Sequence, residues 1–200
     1  MKAFCLMLFV MLSAMAASEP AWQLVKGDNK VSVYTRLESE SAYKSFKAIG
    51  EVKASSEQVL NVLNDVSSFQ SWFAYAKTVE LLEQSELSKL VYIETDFPWP
   101  FRNQDMVYEM SFTELDDGSV EYALLGKPGY IPVKKGINRM RSAKGNIRIM
   151  PYEDHTKISY LMQANLSGEI PPWLANKHIH ELPFRTLENL LRLLEDNLNI

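Results

Sequence analysis

The chain predicts an α+β fold in which a curved antiparallel sheet wraps around one long C-terminal helix. Three observations lead there. Strand-like runs occupy 77–84, 88–96, 105–115, 119–126, 137–150 and 156–166, and most of the connections between them are too short for parallel crossovers. From Phe184 onward the hydrophobic period changes: Leu187, Leu190, Leu191, Leu194 and Leu198 fall on one helical face, and Arg185, Glu188, Arg192, Glu195 and Asp196 on the other. No Gly/Ser linker, repeat or low-complexity run divides the chain, so residues 17–200 read as a single domain.

Each element has its own signal. Ser18, Pro20 and Trp22 to Val25 predict a short opening helix, with serine as cap and proline in the first turn, ended by Gly27-Asp28. Val31 to Thr35 alternates as a strand, and Tyr43 to Lys53 supplies a second. Ser55-Ser56-Glu57-Gln58 has capping-box spacing and opens a helix with Val59, Leu60, Val62 and Leu63. Another short helix, from Ser68 to Ala74, displays Phe69, Trp72 and Phe73. The terminal helix is expected to begin near Pro172, with Pro183 kinking or dividing it. Strands that bend around such a helix leave an interior that side chains need not fill, so a ligand cavity between sheet and helix is expected.

FPWPFRNQD, Phe97 to Asp105, is an unusual join between two strands. Two prolines bracketing a tryptophan cannot continue a central ladder and impose a stiff, extended crossing. Asp116-Asp117-Gly118, by comparison, nearly matches a plain hairpin turn.

The first residues read as an export signal: Lys2, an apolar stretch from Ala3 to Leu12, and Ala14-Met15-Ala16 as a small-x-small site. Cleavage after Ala16 removes 1–16 and with it Cys5, the one cysteine, which excludes disulfides and thiolate chemistry from the mature chain. The expected compartment is the periplasm and the expected state a monomer. A net charge of -4 argues against a nucleic-acid surface, although Lys134, Lys135, Arg139, Arg141, Lys144 and Arg148 lie close together. Those cations read as a solvated strand face and loop.

Catalytic motifs are sparse. There is no G-x-S-x-G elbow, and Ser167 next to Gly168 sits in an expected turn. His178 and His180 diverge by about 200° on a helix, so they do not share a metal there, and no metal or cofactor is expected. Trp72, Phe73, Phe101, Trp99, Tyr130 and Trp173 lie near turns or element ends, as candidates to line a cavity mouth or touch a membrane. Tyr130-Ile131-Pro132-Val133, after Gly126 and Gly129, reads as a mobile lid. Tyr92, Arg102, Asp105, Arg139, Arg141, Tyr160 and Met162 complete the candidate set, with Arg139, Arg141 or Asp105 orienting a headgroup. A ligand burying about 400 Å² of apolar surface would gain roughly 10 kcal/mol before ordering costs.

Taken in order, an early Trp22, two strands, short helices with Asp65 and Trp72, FPWPFRNQD, and SGEIPPWLAN before the last helix resemble the START family of lipid transfer domains, within the helix-grip superfamily. The resemblance covers nearly the whole mature chain. Gly168, Ile170, Pro171, Trp173 and Leu174 match the family's second motif closely, with Pro172 as an extra proline. The first motif departs from it. Asp105 aligns with the family's aspartate, but Gln104 stands where arginine is usual, and no charged pair between Arg102 and Asp105 is carried over. The resemblance implies noncatalytic binding of a hydrophobic molecule, such as a phospholipid, sterol or fatty-acyl compound, with the C-terminal helix as wall or gate and transient contact with a membrane. Its rivals are a helix-grip enzyme of polyketide-cyclase type, drawing on Asp105, Tyr92, Arg139 or Tyr160, and a closed-core interaction protein with an interior below about 300 Å³.

Overall fold

The computed structural model describes residues 20–168 and 170–198; the expected export signal and the Ser18 cap lie outside them. Ten strands form one sheet: β1 (Gln23–Gly27), β2 (Val31–Leu37), β3 (Lys44–Val52), β4 (Ala76–Gln84), β5 (Ser88–Thr95), β6 (Gln104–Glu114), β7 (Val120–Gly126), β8 (Asn138–Arg139), β9 (Ser142–Pro151) and β10 (Thr156–Asn165). Their order across the sheet is β1-β2-β3-β10-β9-β7-β6-β5-β4, with β8 paired to β6. The chain lays down three strands, crosses to the far edge, and walks back antiparallel until β10 closes beside β3. This is the helix-grip arrangement expected from the sequence.

The crossing from β3 to β4 is made by α1 (Ser56–Asn64), a 3₁₀ turn (Val66–Ser68) and α2 (Phe69–Trp72). α1 starts where the capping box places it. Ser55 accepts from the Gln58 N–H, and the Gln58 side chain accepts from the Ser55 N–H, so two orphan donors of the first turn are satisfied.

The opening helix is corrected: residues 23–27 form an edge strand paired to β2. Gly27-Asp28 closes a hairpin rather than ending a helix. The Asp28 carboxylate accepts from the N–H groups of Lys30 and Val31 at 2.8 and 2.7 Å, and these bonds hold its pKa below the usual carboxylate range. The open edge of β2 thus overrides local helix signals. The expected strand 137–150 also divides, because Met140 N–H bonds the Asp105 carbonyl while Arg141 N–H turns to the Asn165 carbonyl. β8 therefore runs parallel to β6, and β9 antiparallel to β10.

The C-terminal helix comes as α3 (Pro172–His178) and α4 (Glu181–Leu198). The break falls ahead of Pro183, which sits in the first turn of α4, where a missing N–H costs nothing. Leu187, Leu190, Leu191 and Leu194 are each about 1% exposed and seat α4 on β2 and β3. Lys26 bonds Glu181 at 3.0 Å and Lys30 bonds Glu195 at 2.7 Å, tying both ends of α4 to the β1–β2 hairpin. α3 has no buried residue.

Where β9 meets β10 the backbones approach closely. A Cβ on Gly145 would stand 2.1 Å from the Leu161 carbonyl oxygen and 2.9 Å from Met162 Cα. Glycine lets the two strands pinch there. Gly145→Ala is expected to destabilise the fold by about 2–4 kcal/mol, measured by urea denaturation.

Lys89 is buried under the end of α1, where its ammonium donates to the Leu63 carbonyl at 2.6 Å. Burial pulls its pKa down from 10.5 to about 8, against an opposing pull from Asp65. Between those values the native state binds fewer protons than the unfolded state, so this group makes stability rise as pH rises. Denaturation at about pH 8 and about pH 9.5 should show that increment in the parent chain and lose it in Lys89→Met.

Candidate functional site

α4 covers the sheet over β2 and β3, and α1 packs against β9. Beside them the sheet walls a cavity of about 630 Å³. Its inner wall comes from alternating residues of the central strands: Phe46 on β3, Tyr108 on β6, and Tyr160, Met162 and Ala164 on β10. Its cover is α3 with the start of α4, through Ile170, Leu174, Ala175 and Leu182, and its rim is the β5–β6 loop, through Phe97, Pro98 and Phe101. The volume is twice the roughly 300 Å³ below which a closed core would be favoured.

The proline-tryptophan crossing therefore carries aromatic side chains to the cavity. Its own fold is local: Phe101 N–H bonds the Pro98 carbonyl at 3.1 Å, Phe97 N–H bonds Asn103 Oδ1 at 3.2 Å, and the Asn103 amide donates to Glu94 at 2.6 Å. The Trp99–Pro100 peptide is cis. Trp99 is turned outward and is 92% exposed.

α3 is latched to the start of β3. The Asn176 side chain accepts the Lys44 N–H at 2.8 Å and donates to the Ala42 carbonyl at 2.9 Å, and the Tyr43 hydroxyl donates to the Ile170 carbonyl at 3.1 Å. Charged groups also line the cavity: Lys44 at the start of β3, His178 at the end of α3, Glu181 at the start of α4, and Asp96 on the β5–β6 loop. His180 pairs instead with Glu181 at 3.0 Å. Among the described residues no group of three or more His, Cys, Asp or Glu is placed to hold a metal.

The candidate residues divide sharply by strand face. Phe73, Tyr160 and Met162 line the cavity. Trp72 lies in the core, its indole N–H donating to Ser68 at 3.2 Å and its ring edge-on to Phe69 and Phe73. Trp173 is 69% exposed on the outside of α3. Arg102 and Arg141 are exposed and off the cavity wall.

Asp105 alternates with Tyr108 and faces the other side of β6. There it is fully buried and pairs with Arg139, which donates to both carboxylate oxygens, at 2.6 and 3.1 Å. Arg139 also donates to the Pro128 and Ile131 carbonyls, at 2.5 and 3.1 Å, so the pair anchors the 127–137 loop. That loop lies against β4 and β5: Tyr130 bonds Glu83, and Lys134 bonds Glu80 at 3.1 Å and sits 3.8 Å over the Tyr92 ring. Tyr130 is a docked residue on this outer surface, away from the cavity. Tyr92 is buried beneath it, and burial, followed by the Asp105 charge, pushes its phenol up.

Gln104, where the family has arginine, is also fully buried, and its Oε1 accepts from the Ser167 N–H and hydroxyl at 3.3 and 3.2 Å. The amide thus holds the 166–168 segment in place of a charged pair. The wall residues missed from sequence, Phe46, Tyr108, Ile170 and Leu174, had one usable signal on β6. Tyr108 shares a face with Met106 and Met110, opposite Asp105.

Residues 7–197 match the START domain family. The chain is a START domain. A solved fragment of the STAR-related lipid transfer protein from Xanthomonas axonopodis superposes with a TM-score of 0.82 at 33% identity, covering 87% of this chain and 98% of that one. An uncharacterized protein of Pseudomonas aeruginosa is 29% identical over 84% of each chain. The phosphatidylcholine transfer protein of Rattus norvegicus is 28% identical over 78% of this START domain and 75% of its own length.

The Asp105–Arg139 pair supports a testable expectation. Arg139→Met leaves a buried carboxylate unpaired and frees two loop carbonyls, and it should cost about 3–5 kcal/mol. Hydrogen exchange should show local opening at 127–137 beyond the loss that β3 and β10 amides share through the lowered global stability.

Proposed function

We propose that this START domain is a noncatalytic lipid carrier, holding its ligand between the inner wall of the sheet and the cover formed by α3 and the start of α4. The carrying observation is the cavity itself: about 630 Å³, apolar through its interior, and closed on one side by a helix with no buried residue. Such a space gains affinity from area alone, and a lightly held cover gives the ligand a way in. The named relatives support this reading: both are called lipid transfer proteins, of the STAR-related and phosphatidylcholine kinds.

The two tyrosines on the inner wall do not favour acid–base work. Burial pushes the Tyr108 and Tyr160 phenols well above their ordinary range, far from the near-neutral pKa that proton transfer requires. Asp105 and Arg139 are bound to each other on the opposite face of β6.

The outward tryptophans fit transient contact with a bilayer. Trp99 projects from the rim loop and Trp173 from the cover, on the two segments that border the cavity. No helix among the described residues is long and apolar enough to cross a membrane. Export to the periplasm, through a signal at 1–16, completes the reading, in line with the bacterial sources of two relatives.

Extraction of the purified chain followed by lipid mass spectrometry tests the proposal, with lipid expected at about one molecule per chain. Ala164→Trp fills the wall of the cavity and should lower that yield by about tenfold. Its thermal unfolding should stay within about 5 °C of the parent. Absence of lipid from the parent chain, with no binding across a lipid panel, would overturn the reading.

A further inference from the structure

The inner wall of the cavity has two polar groups that the protein does not use. Tyr160 is 3% exposed, its ring edge-on to Phe46 with centroids 5.0 Å apart, and among the described residues its hydroxyl meets no hydrogen-bond partner. The Tyr108 hydroxyl has only Met140 Sδ at 3.8 Å, a weak acceptor. Buried tyrosine hydroxyls ordinarily find an oxygen or nitrogen partner. The two residues stand on β6 and β10, three strand spacings apart in the sheet order, on strands that wall the same space. Both line the same cavity.

No net positive charge accompanies them. Arg139 is occupied by Asp105 and two carbonyls on the far side of β6, and Arg102 and Arg141 are exposed and off the wall. Lys44 and His178 line the cavity together with the carboxylates of Asp96 and Glu181, so the lining brings no net positive charge. A phosphate drawn in beside the phenols would be a buried charge without a counter-ion, which is costly. An uncharged oxygen there needs only a hydroxyl donor, and both phenols remain protonated because burial raises their pKa.

We propose that the preferred ligand is a neutral lipid whose hydroxyl or carbonyl oxygen is held by Tyr108 and Tyr160, in preference to a phosphate-bearing lipid; this rests on the lipid-carrier reading above. The polar end of the ligand is therefore held at the sheet wall, and its apolar part lies against Leu174, Phe97 and Phe101. The two tyrosines determine specificity through hydrogen bonds, while the apolar wall supplies the affinity.

The test uses the delipidated full chain and two probes that share the same fluorescent acyl chain, a diacylglycerol and a phosphatidylcholine. The diacylglycerol should bind at least about tenfold more tightly, and the double variant Tyr108→Phe with Tyr160→Phe should lose about tenfold of that affinity while its binding of phosphatidylcholine is unchanged. Each single Phe variant should show part of the same loss, which keeps the test valid if the double variant folds poorly. Equal or tighter binding of phosphatidylcholine, or phenylalanine variants with parental selectivity, would overturn the neutral-lipid assignment and leave the carrier reading standing. Binding of neither probe would overturn both.

Discussion

The structure depends on one constraint: α4 seats on β2 and β3 and leaves the apolar wall of β6 and β10 to be closed by other segments. Leu187, Leu190, Leu191 and Leu194 fill the side over β2 and β3, where Gly50 lets the helix come down until a Cβ at that position would stand 3.0 Å from Leu191. Over β6 and β10 there is no equivalent seat. The apolar wall there is closed by α3 and by the proline-tryptophan loop, which span the gap without filling it. The cavity is thus a consequence of how far one amphipathic helix can reach, and every residue around it is placed by either the helix seat or the gap beside it.

Much of this was legible in the sequence because it rests on local periodicity. The capping box at Ser55 to Gln58, the leucine stripe of α4 and the meander of short strands each follow from spacing alone, and each lies where it was expected. The opening segment misled because Trp22 to Val25 has no strong period. Its conformation is imposed by the hydrogen-bonding edge of β2, a partner that a local window does not contain. The division of the C-terminal helix is visible as a cluster of prolines, but the break falls ahead of Pro183, whose place in a first turn suits it to start a helix.

The site was less legible than the fold because neighbouring residues on a strand look in opposite directions. Asp105 and Gln104 are adjacent, and Asp105 drew attention as the charged member of a motif, yet it turns away from the cavity to secure Arg139 and a surface loop. Trp72 and Trp99 are both tryptophans near turns; one is fully packed and the other almost fully exposed. Chemical character identified residues that matter, while the parity of the strand decided what they matter for. The substitution of Gln104 for arginine shows the same principle: the amide keeps the tether to Ser167 and brings no charge with it.

The separation of α3 from α4 has a kinetic consequence. α4 is bound into the core, whereas α3 contributes no buried side chain and is held to β3 by the Asn176 and Tyr43 hydrogen bonds. Displacing α3 breaks those polar contacts and opens the apolar wall beneath it but leaves the leucine seat of α4 intact, so it costs less than unfolding the domain. Ligand residence time and resistance to unfolding are then separable quantities. Selection can lengthen or shorten the first by changing a single amide at the latch, with the core that sustains the second left untouched.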